Sequence, residues 1–131
     1  MSNKSPGKAA NIVGWILQSV LALAFLAAGG AKLAGAPMMV ETFEFVGLGQ
    51  WFRYATAVIE IAGAIALLAP GFTVLGAVIL SVTMVGAIIA HLTVIPSSFA
   101  PALVLLVLLL VVLWLRRDQI PELRTRLAGA A

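Results

Sequence analysis

The sequence predicts an all-α, integral membrane four-helix bundle with a short interfacial segment between helices 1 and 2. Three observations carry this. Of 131 residues, 63% are hydrophobic and only 10% charged, whereas a soluble domain is about half apolar and a quarter charged. The mean hydropathy of +1.14 agrees. Four long apolar runs fill most of the chain, three of them near the roughly 20 residues a helix needs to cross hydrocarbon, the fourth spanning with little slack from its Phe99 lead-in. The expected division is a tail over 1–11, a bundle over 12–117 and a second tail over 118–131. There is no cysteine, which excludes a disulfide framework, thiolate metal sites and dithiol redox chemistry by the protein's own residues. The positive balance behind the net charge of +3 lies at the two ends of the chain, before residue 11 and from Arg116 onward. It forms no basic stripe of the kind a nucleic-acid site needs.

The first ten residues are polar and small, with Lys4, Lys8 and Pro6, and are expected to be mobile. Ile12 to about Leu33 is the first span. A cleaved signal peptide ending at Ala34-Gly35-Ala36 is the alternative, but the apolar run exceeds a usual h-region of about 7–15 residues. Gln18 and Ser19 should face the bundle, since lipid offers them no partner. Gly29 and Gly30 allow close backbone approach. Lys32 closes this span, either snorkelling to the interface or facing the bundle as a cation for Glu60 or an anionic ligand.

Pro37 to Gln50 is too short and too acidic to span. Met38, Met39, Phe43 and Val46 share one helical face, with Glu41 and Glu44 elsewhere. This pattern fits an amphipathic interfacial segment, either a lid or a plain connector, broken by Gly47 and Gly49. Trp51 to Ala69 is the second span. Trp51, Phe52 and Tyr54 mark its start as an aromatic belt. Arg53 and Glu60, seven residues apart, fall on one face, and Gly63 leaves room beside Glu60. Pro70-Gly71 ends the helix in a tight turn. Phe72 to about Leu92 is the third span, with Gly76, Ser81, Thr83 and Gly86 as a small-residue seam and His91 near its end. Residues 93–101 form a turn with two prolines. Ala102 to Leu115 is the last span, nearly all Leu and Val. It reads as a lipid-facing wall, with Trp114 and Arg116-Arg117 at its exit. A brief helix after Pro121 is expected in the tail.

Lys4 and Lys8 precede span 1, and Arg116, Arg117, Arg124 and Arg126 follow span 4. Lys and Arg in short loops stay on the cytoplasmic side, so both termini are expected inside. The loops around 34–50 and 93–101 carry neither residue. This topology puts Lys32, Arg53, Glu60, His91, Glu41 and Glu44 in the outer half of the bundle. Glu60 is central: a carboxylate within a membrane span is costly unless paired, neutralised or wetted. It stays ionised beside Lys32 or Arg53, or becomes a neutral acid if left alone. The grouping suggests an outward-facing polar pocket. A buried ion pair that only fixes helix register is the competing reading.

Gly14, Phe25 and Gly29-Gly30-Ala31-Lys32-Leu33 resemble the first-helix pattern of the DoxX family. Glu60-Ile61-Ala62-Gly63-Ala64 with its Pro-Gly turn, and Ala87 to His91, resemble that family's second and third helices. The resemblance runs over about residues 12–115 and is nearest the shorter DoxX-like branch. It implies a four-helix membrane bundle linked to quinone-dependent thiosulfate oxidation or oxidative-stress complexes; animal relatives act as assembly chaperones or cargo receptors.

Three functions are weighed. The first is a membrane subunit binding a quinone or other lipophilic molecule. Glu60 would supply a hydrogen bond or proton, Lys32 and His91 would orient the ligand, and Arg53, Gly63 and Glu44 would contact it. The second is an assembly or stabilising subunit for another membrane protein. The third is a small proton-linked carrier acting as an oligomer. No metal site is expected, since His91 alone holds a metal poorly. A redox partner subunit and a homo-oligomer are the partners considered, and the bacterial inner membrane is the expected location.

Overall fold

A computed structural model describes residues 7–130. Its helices are α1 (Lys8–Ala34), α2 (Pro37–Val46), α3 (Trp51–Leu68), α4 (Thr73–Thr93), α5 (Ala100–Leu115) and α6 (Ile120–Ala130), with a 3₁₀ turn at Arg117–Gln119. The four expected spans are α1, α3, α4 and α5, and α2 is the interfacial segment. They pack in the cyclic order α1–α3–α4–α5, with α5 returning to α1. The protein is a small all-α membrane bundle. α1, α3 and α4 are each long and apolar enough to cross a membrane. α5 has 16 residues and reaches that length only together with residues 117–129, across a 59° bend.

Leu21, Phe25, Leu67, Leu80, Leu109 and Val112 fill the interior and are essentially inaccessible. The outer surface is equally apolar: Leu23 is 69% exposed and Val82 68%. Lipid permits this, because hydrocarbon is as apolar as leucine. Close approach between α3 and α4 depends on Gly76, where a Cβ would stand 2.7 Å from the Gly63 carbonyl oxygen.

The fold differs from the sequence reading in several places. α1 begins at Lys8, inside the segment expected to be mobile; Lys4 and Pro6 lie outside the described residues. Gln18 is buried, but Ser19 is exposed, since neighbours on a helix point about 100° apart. Gly29 packs against Ile61 and the Ala57 carbonyl, whereas Gly30 and Gly86 face open space. Met38 is 72% exposed; the packed face of α2 centres on Phe43, whose ring meets Phe52 edge-on at 6.0 Å. The space at Gly63 is taken by Leu80. Gly47 ends α2 in the left-handed region, φ 79°, which glycine adopts without a Cβ clash. α5 is not only a wall: Leu109 and Val112 are fully buried.

Candidate functional site

The two ends of the bundle can be told apart by what caps them. One end carries α2, and the other carries α6 with the start of α1. At the α2 end, α1 brings Lys32 and α3 brings Arg53 and Glu60. Lys32 Nζ lies 2.8 Å from Glu60 Oε1, with the two side chains 12% and 3% exposed. The distance is that of a charge-assisted hydrogen bond, and no other donor among the described residues reaches Oε1. The ammonium therefore holds one carboxylate oxygen and leaves the group's further acceptor sites without a protein donor. Of the two readings of Lys32, the structure adopts the bundle-facing one.

Arg53 shares the buried face with Glu60, as the seven-residue spacing requires. It does not reach the carboxylate. Its Nη1 donates to the Lys32 carbonyl and its Nε donates to Gln50 Oε1 at 2.8 Å. Its guanidinium lies 4.3 Å from the Tyr54 ring centre. Gln50 in turn donates to the Val40 carbonyl at 3.1 Å. Arg53 and Gln50 thus strap α2 and the end of α1 onto α3. Gln50 is a bracing residue the sequence reading missed, since a loop glutamine carries no pattern.

His91 stands apart from this pair. Its Nδ1 lies 3.0 Å from the Ser97 carbonyl and 3.3 Å from the Ser97 hydroxyl, so it ties α4 to the turn before α5. Glu44 is exposed on α2. Among the described residues, no three of His, Asp and Glu come close enough to hold a metal ion.

The α6 end holds a second buried polar cluster, which the sequence reading did not assemble. Arg116 is 3% exposed. Its Nε donates to Gln18 Oε1 at 2.7 Å, Nη1 to Asn11 Oδ1 at 2.7 Å and Nη2 to the Asn11 carbonyl at 3.3 Å. The Gln18 amide passes the chain on to the Leu67 carbonyl at 2.8 Å and Thr73 Oγ1 at 3.3 Å. Four helices meet in one network. Gly14 makes it fit: a Cβ there would stand 2.6 Å from Arg116 Nη2. Burial lowers the Arg116 pKa from its ordinary value, and the neighbouring Asp118 charge opposes the shift. A shallow hollow lined by Pro121, Arg124, Thr125 and Ala128 lies at this end, far from Glu60.

No curated protein and no solved structure matched the chain. The model of the DoxX-like family matches residues 16–114, a stretch that takes in Lys32, Glu60 and His91 and nearly all of the four-helix ring. The chain therefore belongs to the DoxX-like family.

Proposed function

We propose that the Lys32–Glu60 pair receives a lipophilic small molecule bearing carbonyl or hydroxyl oxygens, a quinone being the chemistry that suits it best. The carrying observation is Glu60: a buried carboxylate whose Oε1 meets the Lys32 ammonium at 2.8 Å and no other donor among the described residues. A carboxylate has acceptor sites beyond the one an ammonium fills, and a ligand hydroxyl would occupy one. Lys32 has donors to offer a carbonyl oxygen. A quinone there would supply reversible redox chemistry. The chain's own residues would orient the head group and hold or release a proton at Glu60, with Arg53 and Gln50 keeping α2 closed over them.

The charge distribution supports an inner-membrane placement with cytoplasmic termini, and a redox partner subunit would supply the electrons. His91 sits at the same end, but its bonds go to Ser97, so the proposal rests on Lys32 and Glu60. A second reading is favoured by the tight closure: Glu60 is 2% exposed. On that reading the pair sets helix register in an assembly subunit, or an oligomer acts as a proton-linked carrier.

Native mass spectrometry of the detergent-extracted protein tests this. The wild type is expected to carry a co-purifying lipophile, and Glu60→Gln to fold normally and lose it. Equal retention by both, or no bound molecule in the wild type, would overturn the ligand reading in favour of the register role.

A further inference from the structure

Charge is unevenly shared between the two ends. Among the described residues, the α6 end carries Lys8, Arg116, Arg117, Arg124 and Arg126 against Asp118 and Glu122. The α2 end carries Lys32 and Arg53 against Glu41, Glu44 and Glu60. Two of the α6-end cations are already engaged. Arg116 is spent inside the bundle, and Arg126 pairs with Glu122 at 2.7 Å while lying over the Phe72 ring. Lys8, Arg117 and Arg124 are exposed, and none has a carboxylate within ion-pair distance among the described residues; Arg117 is anchored by one donation, from Nη1 to the Trp114 carbonyl at 2.5 Å.

Two tryptophans mark the depth at which these cations sit. Trp114 is 62% exposed and stacks under the Arg117 guanidinium at 4.3 Å. Trp15 is 40% exposed and lies 5.7 Å from that of Arg116. Exposed tryptophans at span ends settle at the headgroup level. α6 then leaves α5 at the 59° bend and packs back against α4. Ile120, Leu123 and Leu127 form a stripe along it at helical spacing. Leu123 packs onto the bundle, while Ile120 and Leu127 remain 43% and 47% exposed. Apolar residues beside exposed cations are the pattern of a helix suited to the headgroup layer.

We propose that the α6 end is a docking surface for anionic phospholipid, with headgroup phosphates held by Lys8, Arg117 and Arg124, the last beside the hollow at Pro121 and Thr125. The occupant is argued from charge complementarity: three exposed cations with no carboxylate in ion-pair distance among the described residues, next to a surface that presents phosphates.

The full chain in nanodiscs of phosphatidylcholine mixed with phosphatidylglycerol, released and weighed by native mass spectrometry, tests it. The wild type is expected to retain phosphatidylglycerol preferentially, and the preference to fall by about fivefold for each cation removed in Lys8→Gln, Arg117→Gln and Arg124→Gln. Circular dichroism of each variant checks that the helices remain. Equal retention of the two lipids by the wild type would overturn the proposal. So would a preference that survives the triple substitution.

Discussion

The two ends of the bundle solve one problem differently. Each buries an arginine that no carboxylate contacts among the described residues, and each lays that guanidinium by an aromatic ring: Arg53 by Tyr54 and Arg116 by Trp15. At the α6 end, every guanidinium nitrogen of Arg116 donates to an oxygen, and Gln18 uses both ends of its amide. At the α2 end, a carboxylate is added, held by the Lys32 ammonium at 2.8 Å. The Arg116 network joins protein groups to one another and serves packing. The carboxylate keeps acceptor sites that no protein donor fills. The contrast agrees with the ligand role proposed for Lys32–Glu60 and makes Arg116 a pin.

The contrast is tested hardest by removing one charge of the pair. Lys32→Met leaves a buried carboxylate alone and should cost about 3–5 kcal/mol. Unfolding in detergent micelles, followed by circular dichroism, reads the loss. The double variant Lys32→Met/Glu60→Gln should recover most of it, since no buried charge is then unpaired. A single-variant cost below about 1 kcal/mol would mean that water already screens the pair and fills the carboxylate's remaining acceptor sites.

At the other end the expected effect is smaller. Gly14→Ala puts a methyl group where the Arg116 guanidinium lies. The guanidinium must shift and stretch its bonds to Asn11 and Gln18, at a cost of about 1–3 kcal/mol. Alanine's better helix propensity, about 1 kcal/mol, offsets part of this. Gly30→Ala meets nothing within 4 Å and serves as the control, gaining stability from propensity alone. Equal behaviour of the two variants would show that Arg116 moves freely and does not pin the helices.

Much of this was legible in the sequence, and the residues show why. Apolar length alone located α1, α3 and α4. Two-turn spacing placed Arg53 and Glu60 on one buried face. The ambiguity at Lys32 could not be resolved from position, because snorkelling and pairing demand the same location near a helix end. The Arg116 network was hidden because its members are 98 and 105 residues apart in the chain. Gln18 carried a signal, a lone amide in an apolar span, but nothing named its partner. Gly14 was noticed through the family pattern, and its physical reason, room for a guanidinium, emerged only from packing. Gly63 shows the reverse: its spacing from Glu60 suggests room beside the carboxylate, and a leucine from α4 fills that room.

The smallest expected effect sharpens the boundary of the site. His91→Gln removes a ring that bonds only Ser97 near the exposed end of α4. The glutamine amide can still donate to the Ser97 carbonyl, so stability should change by no more than about 0.5 kcal/mol. Retention of a co-purifying lipophile should match the wild type, in contrast to Glu60→Gln. If His91→Gln released the lipophile without loss of stability, the site would extend from the ion pair to the α4–α5 turn. The α2 end would then be a surface shared by three helices, and no longer a single buried pair.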